Sequence, residues 1–244
     1  MINIQYGTDP EFAIWDDKNK EYVEAAHFIP GCKRQPFQLN DRIGVQPDGV
    51  AIEMTVPPAN NKEEFLAYLT EGVDEFKKLL KMVGGPNLKL KAISSAEYNQ
   101  ITHPDCMTFG CDPSYNPYTG KVNQRPDASS VGNLRTFGFH IHFGISKNMT
   151  EDEVMAFMRY VHEYMYPKSR EYDKDTKRDS IYGGPDYRVK YKNDLTIIEY
   201  RTLGGYMINH AELVIDWAIQ LAEKYFNGID IVSTEMELSG KVSR

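Results

Sequence analysis

The sequence predicts an α+β domain with a mainly antiparallel sheet, helices packed on one face and the opposite face open for a site. Two observations carry that class. Three stretches repeat apolar residues at the helical steps of three and four, and short runs between them have strand character. The strands come in groups, without the regular strand–helix–strand order that builds a parallel sheet.

Taken in order, Ile2 to Tyr6 and Val50 to Val56 read as strands. The first helix runs from Asn61 to Val83, with Phe65, Leu66, Leu69, Val73, Phe76, Leu79, Leu80 and Val83 on one face. Gly84-Gly85-Pro86 stops it. Leu88 to Ile93 and Phe137 to Ile145 follow as strands. At Thr150 the second helix starts, because Thr150 and Glu153 form a capping-box pattern. Val154, Phe157, Met158, Val161 and Met165 make its buried stripe, and Pro167 is expected to end it. Thr196 to Leu203 is the last strand. The third helix is expected near Asn209, with Glu212 placed for another box, Val214, Trp217, Ala218, Leu221 and Tyr225 inward, and Gly228 as its stop.

Pro104 to Asn133 and Tyr166 to Lys192 read as loops, the first rich in turn residues, the second highly charged and broken at Gly183-Gly184-Pro185. No repeat or low-complexity tract divides the chain, so residues 1–244 are expected to form one domain.

Composition narrows the function. The formal net charge of -7 argues against nucleic acid as a partner. No apolar run is long enough to span a bilayer, so no membrane is expected. The opening MINIQYGTDPEF lacks a basic region followed by an apolar stretch, and the three cysteines form no disulfide framework. Cytoplasm is the expected compartment. Cys106 and Cys111, with His103 nearby, offer too few ligands for structural zinc.

Chemistry concentrates in segments where polar residues recur at spacing two or stand alone in an apolar strand; spacing two puts side chains on one strand face. Asp9 and Glu11 flank Pro10, which cannot donate to a ladder and marks an edge or a strand end. Glu53 stands alone in the apolar run Val50 to Val56, where a lone charge costs several kcal/mol to bury. His140 and His142 alternate with Phe139, Ile141 and Phe143. Glu199 and Arg201 share a face in Thr196 to Leu203. Each has an ordinary alternative: a turn, a solvated Glu, structural histidines, a surface ion pair. Together, carboxylates, imidazoles and a guanidinium on one surface need compensating cations, and an oxygen-rich set suits magnesium or manganese.

The stretches GTDPEF, PGCKRQPFQL, DGVAIEMTVPP, FGCDPSYNPYTG, LRTFGFHIHFG, YGGPDYRVKY and IEYRTLGG, in this order and almost end to end, resemble the COOH-NH2 ligases (amidoligases) of tailed bacteriophages. That family is related to glutamine synthetase and glutamate–cysteine ligase. The resemblance implies a glutamine-synthetase-like catalytic sheet, ATP and Mg2+ (or Mn2+) as cofactors, and small-molecule or peptide carboxylate and amine substrates. It assigns Asp9, Glu11, Glu53, His140 and Glu199 to metal, and Lys33, His142, Arg188 and Arg201 to phosphate or substrate. Glu53, Arg201 and Arg188 would act in catalysis. Asp9 stands where glutamine synthetases usually carry Glu, and Phe139 where relatives are often small. The chain has no obvious room for glutamine synthetase's separate N-terminal domain, so its ring assembly is not implied; a homo-oligomer stays open. A metal-dependent hydrolase built on His140 and His142 is the competing reading, and a noncatalytic binding protein with the same fold a third.

Overall fold

The computed structural model describes residues 1–108, 113–125, 127–182 and 184–229. Cys111 and Gly183 fall outside the described residues. In chain order the strands are β1 (Ile4–Thr8), β2 (Glu11–Asp16), β3 (Glu21–Val23), β4 (Gly31–Cys32), β5 (Gln35–Gln38), β6 (Gly44–Asp48), β7 (Ala51–Thr55), β8 (Leu88–Lys91), β9 (Ser95–Glu97), β10 (Leu134–Thr136), β11 (Ile141–Ile145), β12 (Tyr187–Lys192) and β13 (Leu195–Tyr200). The helices are α1 (Lys62–Gly84), α2 (Glu151–Tyr172), α3 (Lys177–Tyr182) and α4 (Ala211–Asn227). The pairings between these strands are antiparallel, so the α+β class holds. No helix among the described residues is long and apolar enough to cross a membrane.

Two sheets position the site. One has the order β1-β11-β13-β12; the larger runs β3-β2-β7-β6-β5-β4, with β8 also on β2. A single open sheet face was expected, and the structure corrects it: the site residues gather at the seam between these two sheets. The chain crosses that seam at Asp9-Pro10, where β1 ends and β2 begins. Pro10 has no N–H for a ladder, while its carbonyl accepts from Met54 N at 3.2 Å.

In the four-stranded sheet, alternation separates two environments. Tyr6, Phe143, Ile198 and Val189 form one cross-strand row. That face meets α2 and α4: Phe143 packs edge-on to Phe157 at 5.1 Å, and Phe157 lies 4.8 Å from Phe226. Burying each such ring contributes about 1.5–3 kcal/mol. The adjacent row is Gly7, His142, Glu199 and Arg188, and by the pleat it faces the other way. Helices on one face and a site on the other therefore hold for this sheet.

α1 matches its pattern: Asn61 caps it by accepting from Glu64 N at 2.9 Å, and Phe65, Leu69, Phe76, Leu79 and Leu80 are buried. α2 starts with both bonds of the Thr150–Glu153 box. It does not stop at Pro167 but continues to Tyr172. Pro167 and Glu163 are both exposed, so water can take the carbonyl that proline leaves without its helical N–H. α4 starts at Ala211 after a short 3₁₀ turn over Gly205–His210, with no side-chain cap. Glu212 forms an ion pair with Lys62 at 3.0 Å instead of a box, and left-handed Gly228 ends the helix as expected.

The charged stretch Tyr166 to Lys192 is not a loop. It holds the end of α2, then α3 and β12. Phe137 to Ile145 is not one strand either. β10 pairs with β9, residues 137–140 cross between partners, and β11 begins at Ile141. The crossing is held by irregular bonds: Phe137 N to Ser94 O at 3.0 Å, Phe139 N to Leu203 O at 3.0 Å, and Glu11 N to Gly138 O at 3.0 Å.

Candidate metal and substrate site

At the seam a cavity of about 660 Å³, counted out to its open mouth, takes side chains from both sheets. All nine residues singled out by sequence line it: Asp9, Glu11, Lys33, Glu53, His140, His142, Arg188, Glu199 and Arg201.

From the four-stranded sheet comes the row His142, Glu199 and Arg188. Asp9, just beyond β1, turns back onto it. Both imidazoles converge on Asp9 Oδ1, His140 Nδ1 at 2.9 Å and His142 Nε2 at 3.2 Å. His140 Nδ1 also lies 3.4 Å from Glu199 Oε1. Ligand atoms of Asp9, His142 and Glu199 all fall within 4.8 Å of one another. The spacing suits a cation held by two carboxylates and one imidazole. His142, expected at phosphate, thus sits in this triad. His140 is almost fully buried and approaches Arg178 Nη2 at 3.4 Å on its other side.

The electrostatics agree. Burial pushes the Asp9 carboxyl up, but the His142 and His140 imidazoles outweigh it and hold Asp9 well below the usual range. Burial lowers His142, and the Asp9 carboxylate reverses this, so the imidazole is raised overall. Burial and Asp9 push Glu199 up, while Arg201 and the two imidazoles bring it down. Arg201 contacts Glu199 directly, and its Nε lies 3.4 Å from Asp186 Oδ2. Arg188 Nη1 is 3.8 Å from Glu199 Oε1. One carboxylate therefore has guanidinium groups along one flank and imidazoles along the other.

The larger sheet supplies an acidic bank. Glu11 and Glu53 are direct cross-strand partners, an arrangement that is unfavourable for like charges. Glu11 Oε2 accepts from Gly138 N at 2.6 Å, and Glu53 Oε2 accepts from Gln46 Nε2 at 3.0 Å. Burial, then the carboxylates Asp9, Asp48 and Glu11, raise the Glu53 carboxyl well above the usual range. A carboxyl crowded in this way favours a bound cation, and the donor set fits a hard divalent ion.

Sequence reasoning missed Asp48, Arg125, Arg178 and Lys190, which also line the cavity. Two carried a usable signal, since Lys190 stands two residues from Arg188 on β12 and Asp48 two from Gln46 on β6. Arg178 on α3 and Arg125 in a connection had none. The zinc alternative gains no support among the described residues: Cys106 is buried and free, and its carbonyl accepts from Arg135 at 2.8 Å.

Comparison with family models, curated proteins and solved structures finds no match for this chain.

Proposed function

We propose that the protein is an ATP- and magnesium-dependent carboxylate–amine ligase of the amidoligase kind, with a glutamine-synthetase-like catalytic fold. One observation carries this reading: His142 and Glu199 share a cross-strand row with Arg188, Asp9 completes a triad with them from just beyond β1, and Arg201 contacts Glu199, so candidate cation ligands adjoin two guanidinium groups that could bind phosphate. Residue order supports it further, through the likeness to phage amidoligases.

In the proposed reaction a substrate carboxylate oxygen bonds to the γ-phosphorus of ATP and the bridging oxygen leaves with ADP. The amine nitrogen then attacks the acyl carbon, and phosphate departs. Magnesium, when bound, would neutralise phosphate charge. Asp9, His142 and Glu199 would hold one ion, and Glu11 with Glu53 a second. His140 would orient Asp9. Arg201 and Arg188 would stabilise the transferred phosphoryl group, together with Lys33, which lines the same cavity. Glu53 attracts the ammonium group and takes its proton.

Isothermal calorimetry with ATP and Mg2+, followed by ADP release across panels of carboxylates and amines, tests the reading. ADP formation that requires both substrates supports it. Failure to bind ATP–Mg2+ counts against it. The triad alone would also suit a metal-dependent hydrolase, which would turn over without nucleotide.

A further inference from the structure

β12 has two working faces. Arg188 and Lys190 reach the seam cavity, while Tyr187, Val189 and Tyr191 face the helix side. There a second cavity opens between β12 and the first turn of α2, about 730 Å³ counted out to its mouth. It is lined by three tyrosines, Tyr115, Tyr187 and Tyr191, together with Val154, Met155 and Val189.

The wall is held in place. Tyr115 and Tyr187 exchange main-chain bonds at 2.8 and 3.1 Å, and their rings lie 6.0 Å apart at 44°. Gly120 closes one side at φ 65°, where a Cβ would lie 3.2 Å from Met155 Sδ, so only glycine fits comfortably. Tyr191 remains half exposed at the mouth.

Glu151 is the acidic residue of this lining. Glu151 shares this lining with the three tyrosines, and burial and then the Glu151 charge raise the Tyr191 phenol. Among the described residues Glu151 forms no ion pair, whereas Glu153 two positions on is bound to Lys147 at 2.5 Å. Arg159, whose charge also reaches Tyr187, donates to Pro117 O at 2.8 Å. A favourable place at a helix N-terminus explains an acidic residue at 151. It does not explain three tyrosines and a thioether around it.

Aromatic faces attract cations, a thioether packs against a methylene stem, and a carboxylate at the rim completes the match. We propose that this cavity binds the alkylammonium group of a ligand, carried by a free amine or by a lysine side chain. The proposal does not depend on the ligase reading.

The test is NMR on protein labelled at the methionine methyls, following Met155. The probes are n-butylammonium, N-acetyl-lysine N-methylamide and its neutral isostere N-acetyl-norleucine N-methylamide. A saturable Met155 shift is expected with at least one ammonium probe, with the norleucine compound at least about fivefold weaker. Binding by butylammonium alone assigns a free amine, and binding by the lysine derivative alone assigns a polypeptide side chain. Glu151→Gln and Tyr191→Phe separate charge from ring: the first should weaken binding about fivefold or more, the second by less than about twofold. Both side chains are exposed, so the fold should tolerate these changes. Equal binding of the norleucine compound, no saturation with either ammonium probe, or an unaffected Glu151→Gln variant would overturn the proposal.

Discussion

Arg201→Met is the most informative single perturbation. Arg201 is 7% exposed and stands between Glu199 and Asp186, which are 9% and 2% exposed. Deleting one partner of a buried charge pair costs about 3–5 kcal/mol, because the remaining charge stays desolvated. Part of the deficit is covered here. Asp186 Oδ1 keeps its bond from Asn123 Nδ2 at 3.0 Å, and Glu199 keeps His140 at 3.4 Å and Arg188 at 3.8 Å. The lower end, about 3 kcal/mol, is therefore expected. For a chain of this length that lowers the melting temperature by about 6–12 °C.

Thermal unfolding followed by circular dichroism, in buffer with EDTA, reads the effect. Arg201→Lys should fall in between, since a point charge replaces a planar fork. The double variant Glu199→Gln/Arg201→Met should lose less than the sum of the singles, by about 1–3 kcal/mol. A single variant melting within about 2 °C of the parent, or a strictly additive double variant, would refute the buried-pair account. If the cavity is the ligase site, Arg201→Met also lowers turnover by about a hundredfold or more.

Glu53→Gln should leave the melting temperature in EDTA unchanged or higher, because it removes a carboxyl crowded by Asp9, Asp48 and Glu11; a clear loss would contradict the crowding. The parent should gain about 2.7 kcal/mol at a Mn2+ concentration near 100 Kd, read as a melting shift of about 5–11 °C, and Asp9→Asn should abolish most of it. Gly138→Ala would put a methyl 2.2 Å from His140 Nε2 and 3.0 Å from Arg178 Nη2, so a denaturant midpoint lowered by about 1–3 kcal/mol and a weaker Mn2+ response are expected; an unchanged midpoint would show that His140 can move. Burial lowers His162 to about 4 from 6.5, while its Nδ1 pairs with the Tyr200 hydroxyl at 3.0 Å. The unfolded chain therefore binds the extra proton between those values, so stability is full above pH 6.5 and lost as pH falls towards 4. Discounted for partial exposure, the contribution is about 1–2 kcal/mol, and His162→Phe should flatten that acid limb in pH-dependent melts.

What could be read from sequence was local. Spacing two matched His140 with His142 and Glu199 with Arg201 without knowledge of their neighbours, and all four line the cavity, although His140 precedes β11 and Arg201 follows β13. The α2 capping box and the apolar stripes of α1, α2 and α4 are local for the same reason. β12 was missed although it alternates Tyr187, Val189 and Tyr191 with Arg188, Lys190 and Lys192. Its charge density reads as loop, and its apolar face is short: Tyr187 is buried, while Tyr191 is half exposed. Pro167 misled because sequence does not say which side of a helix meets water. The α+β class needed only local signals, but the division into two sheets depends on pairings between distant segments.

The Asp9-Pro10-Glu11 segment shows what that division does to a motif. By spacing alone its two carboxylates are equivalent. Pro10 interrupts the ladder, so Asp9 stays with the four-stranded sheet and Glu11 opens β2 of the other. Their surroundings then diverge. Asp9 Oδ1 receives two imidazoles and joins the triad. Glu11 bonds Gly138 twice, through its own N–H to the carbonyl at 3.0 Å and through Oε2 from the glycine N–H at 2.6 Å. One carboxylate is available to a cation, and the other spends an oxygen on tying the histidine segment to β2. The pairing of Asp9 with both imidazoles, each within 3.2 Å of its Oδ1, follows from that break in the ladder and not from the spacing of the motif.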